Sequence, residues 1–309
     1  EFSLSHHCFL HAQQHLLHAD PELIEAIENF KISSRQILQG QLMGLHRSAQ
    51  RGTSIEFSEH KLYTPGDDVR HIDWRAYAKS DRYHIKQYED ETNLNVEIIL
   101  DQSASMNFLG GGNQTKLAFA RKFAAALSYI SLKQGDGVGL FRFSGDDVGR
   151  LPARASSMHL NEILVNLGAS PGAGETMLSK HLAKFAIEIK KRSLVVVLSD
   201  LFDIDDSWLK TFNLLAAKRH DVVLIHILDP HEASFPYDSP TQFSSMEDSR
   251  SILVHPRSLR NTYVKEMRRF LERVENKLRE QGIDYFRFLT DTEPSQGLVD
   301  FLRTRSRTY

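Results

Sequence analysis

Five oxygen-bearing side chains, at three places in the sequence, have the types and spacing to hold a hard cation. The segment "DQSAS" supplies Asp101, Ser103 and Ser105. Skipping one residue each time lets a single loop aim a carboxylate and two hydroxyls at one point. Thr176 follows the glycine-rich run "PGAGE", and Asp200 closes the apolar run "SLVVVLSD". Carboxylates and neutral hydroxyls suit Mg²⁺ or Mn²⁺ with several waters retained, and not Zn²⁺, which takes nitrogen and sulfur. A short D-x-S-x-S run is also a good helix-capping turn, because Asp and Ser favour that position. What separates the two readings is whether Thr176 and Asp200 reach the same crevice.

The elements that must position these groups can be read from periodicity. "VEIILD" reads as a buried strand that ends on Asp101, and Lys116 to Leu132 as an amphipathic helix. "GVGLFRFS" is a second strand. Met158 to Leu167 and Thr176 to Lys190 are helices. "SLVVVLSD" has the continuous apolar character of a central parallel strand. Ser207 to Lys218 is a helix and "DVVLIHIL" a further buried strand. Residues 229 to 256 interrupt the rhythm as a loop or hairpin insertion. A long helix then runs from Arg257 to about Gln281, with Leu259, Tyr263, Met267, Phe270, Leu271, Val274 and Leu278 as its stripe. "IDYFRFL" is a last strand, and Pro294 opens a final helix that buries Leu298 and Leu302. Strand and helix alternate over this stretch, so the expected fold is α/β, a mostly parallel sheet covered by helices on both faces. If the strands ending at Asp101 and Asp200 are neighbours, both acids enter one crevice at the carboxyl edge, where open α/β sheets place ligands.

The spacing D-x-S-x-S, then Thr, then Asp resembles the metal-ion-dependent adhesion site of the von Willebrand factor A family. The resemblance implies a von Willebrand A-like, Rossmann-like domain. It also implies one divalent cation held by Asp101, Ser103, Ser105, Thr176 and Asp200, with a partner's carboxylate completing the octahedron. One departure is Leu201, where many members carry glycine.

A second motif precedes this domain. "YTPGDDVRHIDWRAYAKSDRYHIKQYEDE", Tyr63 to Glu91, resembles the domain-of-unknown-function family number fifty-eight. Pro65, Gly66, Asp67, Asp68, Arg70, Ile72, Asp73, Trp74 and Arg75 carry that match. The family's frequent link to MoxR-class AAA+ ATPases implies an adaptor between such a machine and its substrate. Pro65-Gly66 is a turn signal. The mixed charges around Trp74 read first as a clasp holding the preceding segment in place, and second as a partner surface. Ile55, Phe57, Leu62 and Tyr63 fall in extended-looking stretches, and "RYHIKQYEDE" alternates as a half-buried strand does.

The first segment, to about Gln50, reads as helical: Asp20-Pro21-Glu22 is a helix start, with Leu23, Ile24, Ile27 and Phe30 at helical spacing. The expected division is residues 1–20 as a tag-like or poorly ordered leader, 21–92 as a small helical and β segment, and 93–309 as the sheet domain. The 309 residues suit such an arrangement.

Composition narrows the function. Lys and Arg total 38 against 40 Asp and Glu, a net charge of -2. The chain therefore lacks the global basic footprint of a nucleic-acid binder. Arg260, Lys265, Arg268, Arg269 and Arg273 alternate with Glu266, Glu272 and Glu275, which reads as a solvated helix face. No stretch reaches the ~20 apolar residues of a membrane-spanning helix. The one cysteine, Cys8, cannot form an internal disulfide, which favours a reducing, cytoplasmic setting. The sequon Asn113-Gln114-Thr115 carries little weight without a signal peptide. "SPGAGET" lacks the lysine of a phosphate loop. His7, His11, His15 and His18 have i, i+4 spacing but no interleaved acid or cysteine, and read as a tag-adjacent or solvated helix. There is no G-x-S-x-G and no H-E-x-x-H. A metal-assisted hydrolase would have only Asp203, Glu175 and His181 as nearby bases or nucleophiles. The sequence thus favours a cation-dependent protein-interaction module over that enzyme, or over a scaffold whose metal is only structural.

Overall fold

The computed structural model describes residues 94–169, 172, 174, 177–202, 207–247 and 250–307, Tyr83, the backbone of strands 55–62 and 84–90, and Pro21, Ile24 and Glu25. Several expectations lie outside the described residues. They are the four N-terminal histidines, Cys8, the block from Pro65 to Arg75, and Glu175, Thr176 and Asp203. Of the segment expected to be helical before Gln50, only Pro21, Ile24 and Glu25 are described, and they are helical.

The chain divides into two units, His46–Asn93 and the remainder. The first contains β1 (Ile55–Leu62) and β2 (His84–Asp90), which pair antiparallel from Ile55 opposite Asp90 to Leu62 opposite His84. The register shifts between Phe57 and Glu59, a bulge that adds one residue to β1.

The second unit is built on six strands. In chain order its elements are β3 (Asn95–Asp101), α1 (Lys116–Lys133), β4 (Gly137–Ser144), β5 (Asp147–Arg154), α2 (Ser157–Gly168), α3 (Leu178–Glu188), β6 (Ser193–Ser199), α4 (Ser207–Ala217) and β7 (Asp221–Leu228). They continue with α5 (Pro230–Ser234), β8 (Thr241–Ser244), β9 (Ser251–Val254), α6 (Pro256–Glu280), β10 (Asp284–Leu289) and α7 (Pro294–Arg307). The sheet order is β10-β7-β6-β3-β4-β5. All pairs are parallel except β4 with β5. The mostly parallel α/β fold expected from the sequence is present. The antiparallel edge strand β5 is an addition to that reading. Its residues alternate between exposed and half-buried, so it lacks the continuous apolar run that marks its neighbours.

Each strand faces two ways, and the helices divide accordingly. Ile98 and Leu100 of β3 pack with Phe119, Phe123 and Leu127 of α1 and with Leu298 and Phe301 of α7. Ile99 faces the other core, with Phe185 of α3, Trp208 and Phe212 of α4, and Leu278 of α6. Two dry layers on one sheet explain why the central strands read as unbroken apolar runs. The stripe of α6 is buried only in its second half, at Leu271, Val274 and Leu278. Near its start Leu259 is exposed, and Tyr263 serves the insertion instead, its hydroxyl donating to the Glu232 carbonyl at 2.9 Å.

That insertion is ordered by local chemistry. Asp229, Pro230 and Glu232 form a capping box that starts α5, and β8 and β9 make a two-stranded antiparallel hairpin. Among the described residues no helix is long and apolar enough to cross a membrane.

Candidate functional site

The crevice lies between β3 and β6, which are adjacent and parallel, with Leu100 opposite Leu198. One neighbour of β3 comes after it through α1 and the other is β6, so the strand order reverses here. Loops leaving two strands in opposite directions open a gap at their carboxyl ends. Asp101 is the last residue of β3, and Asp200 comes directly after the last residue of β6.

The structure brings four of the five expected residues together. Asp101 is fully buried. Its Oδ1 accepts the Ser103 N–H at 2.9 Å and its Oδ2 accepts the Ser199 hydroxyl at 2.7 Å. The Ser103 and Ser105 hydroxyl oxygens lie 3.1 Å apart, and the Ser105 hydroxyl bonds the Asp200 carboxylate. The turn 104–107 that carries Ser105 is 3-10 helical, and Ser103 does not cap it through its side chain. The capping explanation of D-x-S-x-S therefore fails for Ser103, whose hydroxyl faces Ser105. Thr176 is outside the described residues. The glycine run before it is tied to the same turn, since Gly174 accepts the Ala104 N–H at 3.0 Å and Gly172 accepts from Asn107 at 2.6 Å.

Leu201 explains the departure seen in the sequence. Its φ is +54°, in the left-handed region where a side chain is disfavoured and glycine is not. Two contacts hold it there. Its N–H donates to the Ser199 hydroxyl at 3.1 Å, and its side chain is buried in the second core. The next N–H, that of Phe202, donates to Asp200 Oδ1 at 3.2 Å.

The electrostatics are set by a group that carries no motif in the sequence. Lys116, the first residue of α1, is completely buried, and its ammonium lies 2.7 Å from Asp200 Oδ2 and 2.6 Å from Glu232 Oε1. Burial works against the charge on Lys116, but Asp200 and Glu232 outweigh it and raise its pKa. Burial would likewise raise Asp200. The Lys116 ammonium and the hydrogen bonds from Lys116, Ser105 and Phe202 hold it below the usual carboxylate range. Asp101 has no such cation among the described residues. Burial, and then the like charge of Asp200, push it up to about 7. A signal for Lys116 was legible: a cation in the first turn of a helix opposes the macrodipole, so some other interaction must hold it.

Three further residues missed at the sequence level brace the crevice. His226 on β7 is buried, and its Nε2 donates to the Asp200 carbonyl at 3.0 Å, leaving Nδ1 to accept from the Tyr285 hydroxyl at 2.8 Å. Burial lowers its pKa to about 4, so the ring is neutral near pH 7. Glu232 also accepts the Asp229 N–H at 2.8 Å. Asp229 accepts the N–H groups of Gly110, Gly111 and Gly112 at 2.9, 2.8 and 3.1 Å. Glycine is required at 112, where a Cβ would lie 1.9 Å from Thr290 Oγ1. The signals were the D-P-x-E capping box and the triple glycine.

His181, the one described residue of the hydrolase alternative, is absorbed by packing. It stacks on Phe143 at 4.7 Å, and its Nε2 donates to the Gly145 carbonyl at 2.7 Å. Among the described residues no three His, Cys, Asp or Glu side chains converge as a metal-binding group. The donor set here is two carboxylates and two hydroxyls. An octahedron with bonds of ~2.1 Å has adjacent ligands ~3.0 Å apart, so the Ser103–Ser105 spacing fits one edge of a Mg²⁺ shell.

Fold and site together define an open α/β sheet domain with an oxygen-lined crevice at the carboxyl ends of its central strands, where two buried carboxyls and two hydroxyls meet. The chain belongs to the family described as "Protein of unknown function DUF58", whose model matches residues 59–273. Uncharacterized proteins of Mycobacterium bovis and Mycobacterium tuberculosis are 27% identical over 293 residues, spanning 93% of this chain and 91% of theirs. Similar solved structures include a conserved hypothetical protein, BatB, from Bacteroides thetaiotaomicron. It is 15% identical, covering 70% of this chain and 100% of that one, with a TM-score of 0.44. The VWA domain of SpRpn10 is 12% identical, covering 68% of this chain and 95% of that one, with a TM-score of 0.37.

Proposed function

We propose that the sheet domain is a divalent-cation-dependent protein-interaction module. Asp101, Ser103, Ser105 and Asp200, with Thr176, would hold Mg²⁺ or Mn²⁺, and a partner's acidic side chain would take the open position. The bound cation would supply a Lewis-acidic contact that exists only while the metal is present. The observation that carries this reading is the convergence of both carboxylates on two hydroxyls at an octahedral edge spacing. Charge supports it. Asp200 and Glu232 share the one Lys116 ammonium, and Asp101 stands beside Asp200 with no described cation, so the crevice has more acids than cations.

In the cell the partner we propose is a MoxR-class AAA+ ATPase, for which this protein would be the adaptor to a remodelled client. That part rests on the family resemblance, and the cytoplasmic setting rests on the lone Cys8. Mg²⁺ is expected to raise the melting temperature, and Asp101→Ala to remove the shift. Equal Mg²⁺ responses of mutant and wild type would sink the cation reading. Recovery of an AAA+ ATPase from native extract with Mg²⁺ but not with EDTA would support the adaptor. Its absence under both conditions counts against it.

A second reading has one specific observation behind it. The Lys116 ammonium already bonds Asp200 Oδ2, so the crevice could be closed by an internal cation and serve as a scaffold. The same thermal shift separates the two, since an internally neutralised site gives no Mg²⁺ response.

A further inference from the structure

Beside the crevice is a cavity of about 820 Å³. It lies between the 3-10 turn that carries Ser105, Phe202, and the β8–β9 insertion. Its far wall is a packed set of rings. Phe235 stacks on Tyr263 with centroids 4.5 Å apart and on Phe243 at 5.5 Å, and Tyr237 meets Phe243 edge-on at 5.1 Å. The polar groups at its base are already engaged. The Tyr263 hydroxyl donates to the Glu232 carbonyl, and the Glu232 carboxylate is held by Lys116 and the Asp229 N–H. At the rim three large apolar side chains face water: Ile252 is 63% exposed, Phe202 61% and Met246 45%. Glu247 and Arg250 line the hairpin side with opposite charges, so that side sets up no net field against an acidic chain.

Two features fix what such a cavity would take. Ser105 belongs both to its lining and to the candidate cation donors. A chain with a carboxylate on the cation would therefore have its neighbouring side chains over the cavity. The ring wall and the exposed apolar rim gain nothing from a polar side chain, and clusters of exposed apolar groups mark interaction sites. The volume falls in the range of pockets that enclose a small ligand, which suits the side chains of a short segment rather than a whole domain.

We propose that this cavity is the specificity pocket of the interaction module. It would receive a large apolar side chain, aromatic by preference, placed within a few residues of the acidic residue that meets the cation. The occupant is a short acidic-aromatic segment of a partner protein, with charge matched at the crevice and apolar surface matched in the pocket. This inference rests on the cation reading above, and the experiment separates the two.

The probes are fluorescein-labelled ten-residue peptides of Gly and Ser carrying one Asp, with one Trp placed one to four residues to either side. Matched peptides replace Asp by Asn or Trp by Ser. Anisotropy is measured against the full chain in Mg²⁺ and in EDTA, and against Phe202→Ser, Ile252→Ser and Asp101→Asn. Phe202 and Ile252 are exposed, so these two variants keep the fold, which their melting temperatures verify. The expected result is that at least one Asp-Trp spacing binds in Mg²⁺ and loses roughly tenfold or more without Trp. That margin should vanish in Phe202→Ser and Ile252→Ser, while binding of the Trp-free peptide is unchanged in Ile252→Ser. Binding that needs Mg²⁺ and Asp but ignores Trp overturns the pocket and leaves the cation reading standing. Binding that needs Trp but persists in EDTA and in Asp101→Asn overturns the cation reading and the coupled proposal with it. No binding by any probe overturns the pocket, and the Mg²⁺ thermal shift then judges the cation reading alone.

Discussion

Two buried networks, at opposite ends of the same sheet, each hang two carboxylates on one cation. At the amino ends of β7 and β10, Arg305 of α7 bonds Asp284 at 2.8 Å and also pairs with Asp221. At the carboxyl end, Lys116 of α1 bonds Asp200 and Glu232. Both cations are only 1% exposed. The difference lies in the acids. Asp221 and Asp284 retain some contact with water, at 10% and 27% exposure, and a planar guanidinium can serve both at once. Asp200 is sealed at 1%, and the fully buried Asp101 stands beside it without a described cation of its own. The first network is satisfied as a clasp between α7 and the sheet. The second holds, beside its ion pair, a buried carboxyl whose pKa burial and a like charge raise, and perturbed groups of that kind are enriched at functional sites.

The largest effects test the cations themselves. Removing one partner of a buried ion pair strands the other, so Lys116→Met and Arg305→Met are each expected to cost about 3–5 kcal/mol in urea unfolding. The comparison breaks on the response of each variant to metal. Millimolar Mg²⁺ should restore part of the loss in Lys116→Met and none in Arg305→Met. Equal recovery would mean that the two networks do not differ in kind.

Asp101→Asn should act in the opposite direction. The Asp101 carboxyl, at about 7 in the folded chain, lies above its ordinary value of 3.8, so the folded chain binds the proton more tightly. Stability without metal therefore falls as pH rises from about 4 to 7. At pH 8 in EDTA the variant should be more stable by on the order of 2 kcal/mol, and it should show no Mg²⁺ shift. Because Asn keeps only one of the two acceptor oxygens used by Ser103 and Ser199, the check is the pH trend: a difference between variant and wild type that does not change from pH 5 to pH 8 would show that Asp101 does not titrate there.

Glu97 sharpens the contrast from within β3. Burial raises it to about 7, with Arg150 pulling the other way, yet it sits away from the crevice. The sign is the same as for Asp101. Glu97→Gln should gain about 1 kcal/mol at pH 8, a gain that fades toward pH 5 and is indifferent to Mg²⁺, read by thermal unfolding across pH. The smallest effect is expected at the exposed pair Arg279–Glu275 on α6, where Arg279→Ala should change stability by less than about 0.5 kcal/mol.

Much of the sheet domain was legible in the residues alone. Strands β3, β4, β6 and β7 carry apolar runs that stand out because helices cover both sides of the sheet, β10 showed itself by its aromatic residues, and the helices between them show their stripes. The insertion showed itself as a break in that rhythm. The edge strand β5 did not, because a half-exposed strand alternates and resembles a loop. Asp101, Ser103 and Ser105 were legible as candidates because oxygen donors at short, regular spacing suit a hard cation, and Asp200 because it closes an apolar strand run. Lys116, Asp229 and Glu232 left local signals, a cation in a helix's first turn and a capping box, but their roles and that of His226 were not legible, because these residues lie far apart in the chain and owe their meaning to where the sheet order puts them.

What the amino-acid sequence determined by itself is therefore local: which segments bury two faces, which bury one, and which short run can aim a carboxylate and two hydroxyls together. The tertiary structure alone decided that β3 and β6 are neighbours, that Lys116 compensates Asp200 and leaves Asp101 uncompensated, and that Leu201 must accept a φ of +54° to turn the chain there. The physical reason is that charge balance and backbone strain depend on distances across the fold. Those distances are fixed by how two dry helical layers close over one sheet, and no spacing along the chain encodes them.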